Sequence, residues 1–491
     1  MKQTIFLLAV SFLPITASAD ENGSCGEDIT YTYLENNHTL TISGVGAMSE
    51  YTFATSIPWN SYKSDIQTVI IEDGVTTICN NAFSNCHALS VVSIGGTVKS
   101  IGNNAFLNCE NLGDVVLPQE LNTIGEKAFS KSGITNISLS DNVTSIGRSA
   151  FNGCEKLTTA TLGRGITSIN SSLFSSCTAL EKVIMGDGVT TIDASAFEKC
   201  AKLNEVQLSK NITSIGNGCF RKCSGLTGIV LPDELITIEY GAFQDCSSLE
   251  NLDIPVNVTY IGGSAFYGCT GLKKISLPES LTDIDNNAFW GCSSLLSISL
   301  PDNLTSIGTY VFNNCTSLMS VKLPTGIETI NQAMFQNCKA LEKIVIPTGV
   351  KTIKSFAFSE CHGLTLAVIP STVTDIEINA FENCKTLTDV YCYAESVPTT
   401  SSAAFTKRYT SVNTTLHIPA ASIDDYKVKE PWMYFNNFLS LVDTDPYPTA
   451  IKPMIQDNLM TPKCYDIQGR VVKQPRKGIC IVNGKKYIMA N

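Results

Sequence analysis

Thiols, imidazoles and carboxylates are the groups in this chain that could bind metal, form disulfides or move protons. Of its 19 cysteines, thirteen, running from Cys86 and Cys109 through Cys154 to Cys384, stand three residues after a phenylalanine. Equivalent positions of a repeat point the same way, whereas a disulfide needs two Cβ vectors turned toward each other. The spacing therefore predicts buried free thiols acting as small hydrophobes. Cys219 and Cys223 look like a metal or redox pair, but Cys219 occupies the position that alanine fills in most other repeats. The histidines are His38, His87, His362 and His417; His87 and His362 share one repeat position twelve copies apart, too far for a common metal or a catalytic pair. No H-E-x-x-H, G-x-S-x-G, P-loop or dinucleotide-binding fingerprint occurs, and the carboxylates are scattered over turn positions. The expectation is a non-enzymatic chain with no catalytic, cofactor-binding or metal-binding residues.

The feature that positions the thiols is a ladder of fourteen phenylalanines from Phe83 to Phe381, every 23 residues, with one 22-residue step from Phe129 to Phe151. In that short copy one residue and the cysteine are missing together, so both belong to the same turn. A fixed period in the twenties marks a solenoid, in which each copy is one coil and only stacking buries its apolar face. Residues 111–129 show the parts. A segment L-x-x-[IV]-x-[IL] forms a strand with Val115 and Leu117 inward, and Pro118 ends it where no ladder N–H is needed. A second short strand follows, as in Val143-Thr144-Ser145-Ile146. Gly102, Gly125, Gly147, Gly216, Gly262 and Gly308 come next and are expected to turn the chain with φ > 0. The Ala-Phe pair and the cysteine then fill the coil from its back. Asn142, Asn211, Asn257 and Asn303, in Asn-x-Thr tripeptides at one repeat position, read as turn formers. The fold class is a predominantly β, leucine-rich-repeat-like solenoid of 23-residue coils, with short strands, compact turns and a cap at each end, stacked at about 4.8 Å per coil.

Residues 1–19 carry Lys2, an apolar run from Ile5 to Leu13 and Ala17-Ser18-Ala19, the pattern of a cleavable secretory signal. Cys25 lacks the surroundings of a lipid-anchored cysteine. Residues 20–65 alternate with glycine breaks and gather Tyr51, Phe53, Trp59 and Tyr62, as an N-terminal β cap would. The coils occupy 66–384. Residues 385–442 read as a degenerate repeat followed by a helix from Ala421 to Val442, whose Trp432, Tyr434, Phe435 and Phe438 cover the open end of the core. Residues 443–460 hold Pro446, Pro448 and Pro453 and read as a linker. Residues 461–491 read as a small β unit with a hairpin turn at Asn483-Gly484, in which Cys464 and Cys480 are either a disulfide or two buried thiols. With 45 acidic against 34 basic residues the net charge is -11, which argues against nucleic acid as a partner. No apolar stretch is long enough for a transmembrane segment. The oligomeric state is left open.

The unit A-F-x-x-C-x-x-L-x-x-[IV]-x-[IL]-P-x-x-[VIL]-x-x-I-G resembles the BspA-like subtype of leucine-rich repeat found in surface proteins of Bacteroidetes and other bacteria. The likeness covers residues 66–442, with similar cap sequences around Pro58-Trp59 and Leu416-His417-Ile418-Pro419. Tyr465-Asp466-Ile467-Gln468-Gly469-Arg470 and residues 478–486 are similar to C-terminal units of Bacteroidetes secreted proteins, type IX sorting domains among them. The resemblance implies a secreted or outer-surface protein that binds host matrix proteins, host cells or other bacteria. The alternatives are a structural envelope scaffold with no host ligand and a hydrolase with an unrecognised site.

Two surfaces are candidates for a protein or cell-surface ligand. One is the outward column of the main strand, including Ile184, Gln207, Val230 and Asp253, which stacked strands turn into a long flat face. It has no aromatic stripe, so sugar stacking is not expected there. The other is Tyr267 and Trp290, each one residue after a ladder phenylalanine in adjacent coils, with Tyr260 and Tyr310 nearby in sequence; adjacent exposed aromatics either anchor a partner or pack on the turn beneath them.

Overall fold

Each coil closes because its apolar residues share one interior and its backbone polar groups find partners in the next coil. A computed structural model describes residues 21–51 and 53–442, and beyond them the strands Cys464–Tyr465, Val471–Val472, Gly478–Val482 and Lys485–Met489. The leader expected at 1–19 and the linker expected at 443–460 lie outside the described residues. Residues up to Leu439 make one compact unit and Ser440–Asn491 a second. Within the second, the four strands pair antiparallel. Its last two form a hairpin closing from Val482 to Lys485, where Asn483-Gly484 predicts the turn. The side chains of Cys464 and Cys480 lie outside the described residues.

The solenoid has three hydrogen-bonded sides. On the first, strands such as Asn136–Ser138, Thr159–Thr161, Lys182–Ile184 and Glu205–Gln207 lie parallel and in register, with Ile137, Ala160 and Val183 turned into the core. On the second, two-residue strands such as Thr123–Ile124 and Ser145–Ile146 pair with their isoleucines inward. On the third, the turn itself makes a ladder: Asn81, Phe83 and Asn85 donate their N–H groups to the carbonyls of Asn103, Ala105 and Leu107 at 2.7–2.8 Å. Every side thus satisfies backbone groups that burial would otherwise orphan.

The ladder phenylalanines are buried, and successive rings stack at 5.0–5.6 Å. The stack runs one step further at each end. Trp59 lies 5.8 Å from Phe83 and donates its indole N–H to the Ala82 carbonyl at 2.8 Å. At the other end Phe405 stacks 5.0 Å from Phe381, and Trp432 and Phe435 close over it. Of the front aromatics, Phe53 turns out to solvent instead of joining the cap.

The expected helix over 421–442 is not formed as one element. It is a 3-10 turn Ala420–Ser422, a short helix Ile423–Lys427, a 3-10 turn Trp432–Tyr434 and a strand Asn437–Ser440. Pro431 cannot donate the N–H a continuing helix requires. The final strand instead joins the last main-strand sheet, covering an edge that would otherwise stay open.

The glycines correct a second expectation. None of Gly102, Gly125, Gly147, Gly216, Gly262 and Gly308 has positive φ. They are glycine because the preceding coil passes too close: a Cβ on Gly125 would meet Asn103 N at 2.5 Å and Gly102 C at 2.6 Å. Left-handed residues instead stand two before and two after every ladder phenylalanine, as Asn81 and Asn85 do at φ of 59° and 62°. Asparagine tolerates that conformation best among residues with a Cβ, and it recurs at both positions.

The thiols behave as expected from their spacing. Cys109 Sγ donates to the Phe83 carbonyl at 3.1 Å, and the same bond to the preceding coil recurs up to Cys384. All seventeen described cysteines are free and buried. In the short copy Ser132 takes the cysteine place and contacts Cys154 Sγ at 3.5 Å. Burial pushes the thiols of Cys86 and Cys361 up to about 12, which removes the nucleophilic thiolate at neutral pH. Alkylation at pH 7 followed by mass spectrometry should therefore leave Cys86–Cys384 unmodified in the native chain and modify them after denaturation. Rapid native labelling of that column would contradict its burial. The Asn-x-Thr asparagines also bridge coils: the amide of Asn211 donates to the Asp187 carbonyl at 2.7 Å and that of Asn257 to Asp233 at 2.9 Å.

Candidate binding surfaces

Because the interior repeats, sites must be sought where the exterior does not. The main-strand face differs from the expected flat sheet. No strand forms at residues 113–118 or 228–232, and pairing also lapses between Lys274–Ser276 and Ser297–Ser299 and between Ser320–Lys322 and Lys343–Val345, leaving five separate sheets among the described residues. At the first gap the Asp114 carboxylate accepts from the N–H groups of Thr135 and Asn136 at 2.9 and 3.1 Å, taking bonds a strand carbonyl would have received. Val116 and Val230, in the two segments without a strand, are each 85% exposed. Ile184 is half-buried beside exposed Gln207, and Asp253 accepts from Ser276 Oγ at 2.6 Å. These four residues stand in one column without converging on a point. Further along the column Val368 is buried, and Tyr391 stacks on His417 at 4.0 Å, whose Nε2 meets Asp389 at 2.9 Å.

The turn face is more distinctive. The residue after each ladder phenylalanine is small or short in most early coils, as at Ser84, Ser130 and Ser175, and bulky from Glu198 through Arg221, Gln244 and Tyr267 to Trp290. Arg221 Nη2 pairs with Glu198 Oε1 at 2.5 Å. The Trp290 ring lies 5.3 Å from Tyr267, tilted by 59°, and 5.9 Å from Tyr310 at 17°. Tyr310 holds φ of 59° at the left-handed position that asparagine fills in several other coils, an unfavourable place for a bulky residue. Gln332 Nε2 donates to its hydroxyl at 3.0 Å. Tyr260 stands apart from this trio, on the strand Tyr260–Ile261 of the second side. Burial, then the carboxylates of Asp285 and Glu239, raise its phenol above the usual range.

Beside Trp290 and Tyr310 opens a recess of about 400 Å³. Its floor and far wall come from the next coils: Asn313 Nδ2 donates to Gln336 Oε1 at 2.8 Å, and Asn337 donates to Asn314 Oδ1. Glu360 accepts from Asn383 Nδ2 at 2.6 Å and pairs with His362 Nε2 at 2.7 Å. Reading the sequence by chemical motif misses these residues, and His362 is set aside there because it is compared only with His87. The usable signal is phase: they stand one, two and four residues after successive ladder phenylalanines. Among the described residues no three of His, Cys, Asp and Glu gather as a metal site, and no helix is long and apolar enough to cross a membrane.

A stacked-phenylalanine solenoid with these strand and turn ladders defines a leucine-rich repeat protein. The chain belongs to the BspA type leucine-rich repeat family, whose model matches it in overlapping segments spanning residues 55–412. A leucine-rich repeat protein from Bacteroides ovatus is similar in structure, with 23% identity, a TM-score of 0.57, and coverage of 85% of this chain and 99% of that one. A leucine-rich cell surface protein from Faecalibacterium prausnitzii shares 26% identity over 74% of this chain and 93% of its own, with a TM-score of 0.36. No protein of curated function matches the chain.

Proposed function

We propose that this chain is a secreted or outer-surface, non-enzymatic binding module that engages a cell-surface or matrix ligand through its turn face. The observation that carries the reading is the cluster Tyr267, Trp290 and Tyr310, three half-buried aromatic rings in contact on the turn face. Clustered aromatics beside polar groups are the usual anchors of recognition, because they offer large contact area at little loss of side-chain freedom. Membership of a leucine-rich repeat family, whose members generally serve as interaction or surface modules, supports the same conclusion.

The test is binding of the fluorescently labelled chain to intact bacterial and epithelial cells and to immobilised matrix. Saturable binding that Trp290→Ala reduces by about tenfold, equivalent to ~1.4 kcal/mol, is expected. Absence of saturable binding to every surface would overturn the reading.

A further inference from the structure

The recess beside Trp290 has a mixed chemistry that narrows the kind of molecule it can take. One wall is aromatic and the other is a run of amides and a carboxylate. The Asn337–Asn314 bond repeats the Asn108–Asn85 bond of early coils, so that contact belongs to the solenoid. What these coils add is Trp290 and Tyr310 on one side, and Gln336 and the Glu360–His362 pair on the other. The hydrogen bonds within the recess use Gln336 Oε1 and the Asn337 amide nitrogen, which leaves Gln336 Nε2 to donate and Asn337 Oδ1 to accept. Glu360 adds further acceptor capacity, since each carboxylate oxygen carries two lone pairs.

We propose that this recess binds a neutral saccharide, one pyranose ring laying its C–H face on Tyr310, which Trp290 backs by stacking on its other side, while its hydroxyls meet Gln336, Asn337 and Glu360. A sugar ring combines an apolar face with a rim of hydroxyls that both donate and accept, and the two walls match those two surfaces. The charges favour a neutral ligand. Lys339 and Glu360, of opposite charge, both line the recess, so it is not a site of one sign for an anion or a cation. At about 400 Å³ the recess lies at the lower end of small-molecule sites, which span roughly 300–1,000 Å³, and suits one or two sugar units.

The inference rests on the turn-face reading above, and the chain offers its own probe. Of its three tryptophans, Trp59 and Trp432 are fully buried in the caps, so a saccharide at the recess changes the emission of Trp290 alone. The full chain is titrated with neutral oligomers of glucose, xylose, mannose, galactose and N-acetylglucosamine, with neutral mucin glycans, and with sialylated and sulfated glycans as controls. At least one neutral ligand is expected to give a saturable change in tryptophan emission. Calorimetry should show Tyr310→Asn weakening it by about tenfold or more without lowering the unfolding midpoint, because asparagine suits that backbone. Gln336→Ala should weaken it comparably. The proposal is overturned if no neutral ligand produces a saturable change, if only charged glycans bind, or if Tyr310→Asn leaves affinity unchanged. Periodate treatment of the target cells separates the two readings. Cell binding that survives oxidation of surface sugars while still needing Trp290 would sink the saccharide and keep the binding module, whereas loss on oxidation supports the saccharide.

Discussion

Phe220→Ala is expected to destabilise the solenoid by about 3–5 kcal/mol, the cost of a large cavity in a core that cannot collapse. The ring is fully buried between Phe197 and Phe243, at 5.4 and 5.3 Å. The backbone around it cannot move to fill the space, because Phe220 N–H is held by the Ala242 carbonyl at 2.8 Å and its own carbonyl accepts the Cys246 thiol at 3.1 Å. In a stack where each coil contacts only its neighbours, the damage should stay local. Hydrogen exchange should therefore show amide protection falling first in residues 197–246, with a lowered denaturant midpoint for that segment. A loss under about 1 kcal/mol would mean that the ladder is not the packing element.

Gly147→Ala should cost about 1–3 kcal/mol or more through overpacking, although the new side chain is only a methyl. Its Cβ would stand 2.2 Å from Glu126 N and 2.5 Å from both Glu126 Cα and Gly125 C, all backbone atoms of the preceding coil. Gly147→Asn distinguishes the two roles a glycine can play here. Were the residue needed for a left-handed turn, asparagine would be tolerated; since it is needed for space, asparagine should be at least as harmful as alanine. Gly228→Ala is the matched control, because a Cβ there has no neighbour within 4 Å. Thermal unfolding of the three variants decides the matter, and a stable Gly147→Asn chain would restore the turn explanation.

The ladder was legible in the sequence because translation symmetry makes one coil predict the next: a residue buried in one is buried in all. The same symmetry places the thiols, whose common direction removes disulfides from consideration. The six glycines were misread because residue type alone does not separate a need for positive φ from a need for room. The C-terminal helix was misread because apolar spacing around Trp432 and Phe435 suits a cap of any secondary structure, and Pro431 decides against helix. The candidate site was legible only in part. Tyr267, Trp290 and Tyr310 can be seen in the sequence as aromatics in mostly polar columns, whereas the recess draws on four coils at four different phases, and only the fold shows that these phases meet. Tyr260 is near in sequence and on another side of the coil, an error that sequence proximity invites in a solenoid.

The central claim is that this molecule keeps its interior for stability and its turn face for recognition. The most direct measurement compares cell binding of two folded variants, Trp290→Ala with Tyr310→Asn on the turn face, and Gln207→Ala with Asp253→Ala on the strand face. The turn-face variant should lose binding by about a hundredfold or more, some 2.7 kcal/mol, while the strand-face variant binds as the native chain does. Loss of binding in the strand-face variant, with the turn-face variant unaffected, would contradict the claim.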